Sequence, residues 1–347
     1  MDSGVNRNLS LDIIRILACM MIVLMHAPMP TGSENGVFLS TVSYLTAPGI
    51  GLFFMLSGAL LLPMRTDIKT FLQRRFSRIA IPLLLWTGIC LCLHCWVHGE
   101  PVTLRMVFSI PFSAQGNPVF WFLYTLLGLY LIAPILSRWL QNASFREIEF
   151  YLILWAVSLC YPLLRPVLDI NTSETGLLYY LSGYVGYFVL GYYLKAFPER
   201  VRFKWMIPLA LLSYAAPVIC KLSKLSVDFY SVFWYLSIFV VIQCVFLWKL
   251  VLFVFPGQKA SSSAPMVAHL SQLTFGIYLM HFFLIRDILW EWRFIQNIPS
   301  YPLQSVTMAG IAFIGSAFVS GMISLLPGSE YLIGVARKHR QKEHGTE

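Results

Sequence analysis

Ten runs of apolar residues, each near the length of a bilayer crossing, recur along the chain and leave it few folds. They lie at about 9–28, 38–63, 79–98, 118–138, 148–167, 176–195, 205–220, 229–255, 269–290 and 303–326. A helix needs about 20 apolar residues to cross the hydrocarbon core. The fifth run, which ends at Pro162 and Pro166, and the short seventh are the weakest of the ten. Of the 347 residues 58% are hydrophobic and 12% charged, whereas a soluble domain carries about 25% charged residues. The expected fold is an all-α polytopic membrane protein, a bundle of about ten transmembrane helices.

Lys and Arg fix its orientation. With both termini inside, 18 fall on inner segments, among them Arg65, Lys69, Arg74, Arg75, Arg78 and Lys195. Six fall on outer ones: Arg105, Arg165, Lys221, Lys224, Arg286 and Arg293. That bias makes both termini cytoplasmic. It also accounts for the net charge of +9 with no nucleic-acid partner. Residues 1–335 read as one transmembrane domain and 336–347 as a basic cytoplasmic tail. The first run holds Arg15 and lacks a small-residue cleavage pattern, so it is expected to stay as a span. Seven cysteines, four of them alone in apolar runs (Cys19, Cys160, Cys220 and Cys244), suggest no disulfide framework. The stretch Cys90–His98 resembles a metal box, but Cys90 and Cys92 diverge from His94, Cys95 and His98 on a helix. A closed zinc site wants four ligands, so no metal site is expected.

Two ionisable residues stand inside the first run. Arg15 and His26 are eleven apart, which returns a helix almost to its starting direction after a rise of roughly 16 Å. Ionisable groups at membrane depth are costly and mark sites, cavities or pathways. An Arg side chain cannot reach across that rise, so the two would serve opposite ends of one elongated ligand. The structural alternative pairs Arg15 with Asp12, three residues earlier on the same face.

Further motifs follow in order along the chain. Leu11-Asp12-Ile13-Ile14-Arg15 leads to His26; Phe53-Phe54-Met55-Leu56-Ser57-Gly58 closes the second run; Arg74-Arg75-Phe76-Ser77-Arg78 enters the third. Phe120-Trp121-Phe122-Leu123-Tyr124 opens the fourth, and Phe275-Gly276-Ile277-Tyr278-Leu279-Met280-His281 lies in the ninth. Together they resemble the acyltransferase-3 family of bacterial integral membrane proteins, which move acyl groups onto surface glycans. Val119 stands where the family usually has a His, and Phe275 where it usually has a Tyr.

The resemblance implies an O-acetyltransferase of the bacterial cytoplasmic membrane. It would carry acetyl from acetyl-CoA to a hydroxyl of a surface glycan or lipid-linked oligosaccharide. His26 and Arg15 become the catalytic candidates, with His26 as general base or as an acyl-histidine nucleophile. Arg75, Arg78 and Arg74 become the seat of the CoA phosphates, for which Arg forks are suited; the alternative is topological anchoring. Ser57 would hydrogen-bond the pantetheine arm, or its run would simply pack helices. Trp121 and Tyr124 read as sugar-stacking rings or an interfacial belt. Tyr278 and His281 complete the acceptor-binding candidates, His281 about midway along its span. Ser57, Tyr124 and Tyr278 are the candidate oxyanion donors. The rivals are a succinyl-CoA-dependent transferase and a transporter using the intramembrane Arg and His residues.

Overall fold

The computed structural model describes residues 8–31, 33–112, 114, 117–168, 178–225, 227–256 and 264–335; the tail at 336–347 lies outside them. The described residues are helical with no strands. The first helix, α1 (Leu9–His26), starts where the Asn8 side chain accepts from the backbone N–H groups of Ser10 and Leu11, which otherwise lack a helical partner. The second span is two helices joined at Ala47, α2 (Gly36–Thr46) and α3 (Pro48–Leu61). Next come α4 (Ile68–His98), α5 (Trp121–Asn142), α6 (Phe145–Ser158), α7 (Tyr161–Leu168) and α8 (Val185–Ala196). They are followed by α9 (Phe203–Leu222), α10 (Ile238–Val254), α11 (Ala264–Phe283), α12 (Tyr301–Ile323) and the short α13 (Ser329–Ile333).

Eight helical segments among the described residues are long and apolar enough to cross a membrane. The sixth and eighth runs hold shorter helices, α8 with 12 residues and α10 with 17. The seventh run, weak in sequence, is a full 20-residue helix. The third starts eleven residues before its apolar run, because Asp67 caps Ile68 onward by accepting from Thr70 N at 2.9 Å. Hydropathy alone misses this polar first turn. It places Arg74, Arg75 and Arg78 on α4 rather than in a loop.

Large side chains fill the interior: Trp155, Trp248, Tyr187, Phe54, Phe120, Phe188 and Phe233 are fully buried. Leu211 and Leu212 on α9, and Ile314 and Phe318 on α12, stay exposed, as side chains bathed in lipid tails should. Gly58 and Gly191 let α3 and α8 meet backbone to backbone. A Cβ on Gly58 would overlap the Phe188 carbonyl, and one on Gly191 the Met55 carbonyl. Small residues at membrane helix contacts serve this close approach.

Helix α11 runs alongside α1 in the same direction. Arg15 meets Ser271, Cys19 meets Thr274 and His26 meets His281. One end of the bundle gathers Asn8, Arg65, Arg74, Arg78 and Gly334 around neighbouring cavities. That is the basic, and by charge bias the cytoplasmic, end.

Candidate functional site

Among the described residues, two adjoining cavities at the basic end hold most of its cations. The larger, about 660 Å³, is walled by α1, the α3–α4 turn and α8, and takes Arg15, Arg65, Arg74, Arg75 and Lys195 against the single acid Asp12. The smaller, about 290 Å³, reaches further in and is lined by Arg15, Ser57, Arg75, Arg78, Phe53, Phe122 and Tyr278, among others. Arg15 and Arg75 line both, so they stand where the two adjoin. Five of the sequence candidates thus share the smaller cavity, and Arg74 lines the larger. Arg65 and Lys195 were read from sequence only as orienting charges.

Arg15 is held from two sides. Its Nη1 donates to Ser271 Oγ at 3.0 Å and to Asp12 Oδ1 at 3.5 Å, and Ser271 Oγ donates to the same Asp12 oxygen at 2.6 Å. The pairing with Asp12 and the cavity position therefore coexist, since the Arg15 side chain keeps 28% exposure where Asp12 keeps 6%. Ser57 and Gly58 split the two readings of their run: Ser57 faces the cavity and Gly58 packs on Phe188. Arg75 also stacks over Phe71, 5.9 Å from its centroid.

The spacing argument for Arg15 and His26 holds, because both face α11. His26 Nδ1 lies 2.8 Å from the Ile22 carbonyl and 3.3 Å from His281 Nε2. His281 Nδ1 lies 2.7 Å from the Tyr278 carbonyl. A carbonyl only accepts, so each neutral ring carries its proton on Nδ1. His281 Nε2 is then a lone pair accepting from His26 Nδ1–H, and His26 Nε2 is left unprotonated. The assignment follows from the partners, as tautomers must. His281, fully buried, sits at the level of His26 and not midway along the span, because α11 begins at Ala264 and the helical path continues to Leu289.

An aromatic layer separates the smaller cavity from this pair. Tyr278 lines the cavity, meets the Phe122 ring edge-on at 5.5 Å and lies 5.6 Å from the His281 ring. Its hydroxyl donates to the Val119 carbonyl, at the position that departs from the resemblance. Tyr124 donates to the Ile110 carbonyl at 2.5 Å. Ser57 lies well inside: Gly49 packs at Ala18 and Ile22, and Ser57 is two helical turns further in. None of the three candidate oxyanion donors is therefore presented to His26. The Trp121 ring lies between Tyr184 and Tyr235 at 5.4 and 5.5 Å, and Tyr235 donates to Met25 Sδ, next to His26.

Among the described residues, no group of three or more His, Cys, Asp or Glu side chains is arranged to hold a metal ion. All seven cysteines are free. The cationic chamber lies at one end of a multi-pass bundle, and the imidazole pair of half-buried His26 and buried His281 lies further along α1 and α11. The family model described as an acyltransferase domain matches residues 8–325, nearly the whole chain, and the protein belongs to that family of membrane acyltransferases. No curated protein and no solved structure matches the chain.

Proposed function

We propose that the protein transfers an acetyl group from acetyl-CoA to a hydroxyl of a cell-envelope polysaccharide or its lipid-linked precursor, in a bacterial cytoplasmic membrane. One observation carries this reading: a wide cationic chamber and a slimmer cavity share Arg15 and Arg75 in their walls, and the slimmer one ends one aromatic layer short of the His26–His281 pair. A polyanionic nucleotide suits the chamber of Arg65, Arg74, Arg75 and Lys195. A thin, amide-bearing arm suits the cavity of Phe53, Ser57 and Phe122.

In this scheme the thioester is delivered past Tyr278 to the histidine level. His26 Nε2 takes the proton of the acceptor hydroxyl as its oxygen attacks the thioester carbonyl carbon. The C–S bond then breaks, and the thiolate recovers the proton from His26 and leaves as CoA. His281 Nε2 accepts from His26 Nδ1–H throughout, so it steadies the imidazolium that forms. Arg15, roughly 16 Å inward, holds the donor and takes no part at the carbonyl.

Inverted membrane vesicles given external acetyl-CoA and a lumenal acceptor test the scheme. Product should form inside the vesicles, with CoA released on the donor side. Product that forms only when donor and acceptor share the cytoplasmic face would contradict it, as would a purified protein that binds no acyl-CoA.

A further inference from the structure

The smaller cavity owes part of its wall to a piece of chain outside the spans. Arg15, Ser57, Arg75, Phe122 and Tyr278 reach it from α1, α3, α4, α5 and α11, while Ile333 and Gly334 reach it from the end of α13. That short helix, Ser329–Ile333, follows the last span and lies beyond residues 8–325, the stretch that matches the family.

Two contacts seat α13 between α4 and α11. On α4, Trp86 Nε1 donates to the Leu332 carbonyl at 2.8 Å. On α11, fully buried Ile333 packs against Gly276. The segment also closes on itself: Ser329 Oγ donates to the Val335 carbonyl at 2.7 Å, and the Gly334 N–H to the Glu330 carbonyl at 3.2 Å. Half-buried Gly334 turns at φ +68°, a backbone that disfavours any residue with a Cβ. A Cβ there would lie 3.0 Å from Phe275 Cδ1 and 3.3 Å from the Arg78 carbonyl oxygen, and both of those residues line the cavity. The chain thus passes the cavity as closely as bare backbone allows. On its other side, Glu330 and Tyr331 face Ser77 and Arg78 across a separate cleft of about 180 Å³.

We infer that the 329–335 segment belongs to the donor site, as a clasp that walls in the thin arm of the acyl-CoA. The inference rests on the acyl-transfer reading above and extends its donor site by one element. A slender ligand gains affinity from the surface that a cleft buries, and the clasp supplies wall where α4 and α11 stand apart. Its effect is confined to one part of the donor. The proposed nucleotide chamber of Arg65, Arg74, Arg75 and Lys195 has no clasp residue in its described lining, whereas the proposed arm cavity has two. The clasp therefore reads the arm and is indifferent to the nucleotide.

The test compares two ligands by isothermal titration on the full chain in lipid nanodiscs. Acetyl-CoA carries both nucleotide and arm; adenosine 3′,5′-bisphosphate keeps the nucleotide end alone. Trp86→Phe removes the N–H that holds Leu332 and keeps a ring, and should weaken acetyl-CoA binding about threefold to tenfold. Gly334→Ala sets a methyl group against Phe275 and the Arg78 backbone, and should weaken it about tenfold or more. Affinity for the bisphosphate should match the wild type in both variants. Tm is the folding control, and Trp86→Phe alone decides the matter if Gly334→Ala does not fold. Unchanged acetyl-CoA affinity in the folded variants of a protein that transfers acetyl would overturn the clasp alone. Equal losses for both ligands would also overturn it, because a general defect does not distinguish arm from nucleotide. Selective loss of acetyl-CoA in a protein that transfers acetyl to no acceptor would keep the clasp and discard acyl transfer instead.

Discussion

Replacing His281 separates a positioning role from a catalytic one, because the structure limits what that ring can contribute. Its Nε2 accepts one branch of a shared hydrogen bond, 3.3 Å from His26 Nδ1, while the Ile22 carbonyl takes the other at 2.8 Å. With His26 neutral, losing the longer branch matters little. In the proposed general-base scheme His26 becomes an imidazolium in the transition state, and hydrogen bonds to charged groups are worth about 1.5–3 kcal/mol. Only the share falling on His281 is lost, about 1–2 kcal/mol, which corresponds to about 5- to 30-fold in kcat. His281→Leu should therefore slow acetyl transfer by about that factor and leave donor KM unchanged. His281→Gln, whose Oε1 can accept from the same N–H, should recover most of the loss. Steady-state CoA release by purified protein in nanodiscs, with Tm as the folding control, measures both. A Leu variant as dead as one lacking His26 would show that His281 itself carries the proton. A Gln variant worse than Leu would refute the tautomer assignment.

The other expectations are simpler. His26→Ala should insert and fold normally but lose about 10² to 10⁴ in rate, read as acetyl transfer in vesicles at matched expression. Arg15→Lys should keep the Asp12 contact yet bind acetyl-CoA at least about tenfold more weakly, because a guanidinium fork serves Ser271, Asp12 and the cavity together and an ammonium does not. Isothermal titration decides it, and full affinity in the Lys variant would count against a donor role. Arg65→Ala combined with Arg75→Ala should weaken acetyl-CoA binding most at low salt, since a screened electrostatic term is removed; equal losses at high salt would speak for a structural defect. Gly58→Ala should lower the Tm markedly, because overpacking costs about 1–3 kcal/mol or more and the new Cβ meets the Phe188 backbone rather than a side chain that can turn away.

Much of this was legible in the chain. Span length and apolarity gave the bundle, and the eleven-residue spacing put Arg15 and His26 on one face, which is the face that meets α11. What escaped depends on contacts between distant segments. His281 and Ser271 lie more than 250 positions from their α1 partners, and no periodicity within one helix reports on which helix stands beside it. Arg65 and Lys195 carry the ordinary signature of inner-loop anchors, so their convergence on one chamber with Arg75 is visible only once α3, α4 and α8 are packed. The hydroxyl partners of Tyr124 and Tyr278 escaped for a related reason: a tyrosine in a span looks available until a carbonyl such as that of Val119 or Ile110 is found to accept its proton. Where the early α4 start and the deeper α11 start escaped, polar residues had shortened an apolar count without ending the helix.

The parallel course of α1 and α11 gives the site a fixed ruler. Because the Arg15–Ser271 contact and the His26–His281 contact are rungs between the same two helices, the interval from the proposed donor anchor to the proposed base is set by helical rise, and neither rung can slip without the other. A donor is then measured by its own length. One cut short between nucleotide and thioester would leave its carbonyl stranded below Tyr278, and one with a bulkier acyl group would have to push that group into the space reserved for the acceptor. Selection among donors would in this way be enforced by distance rather than by any side chain that touches the acyl group.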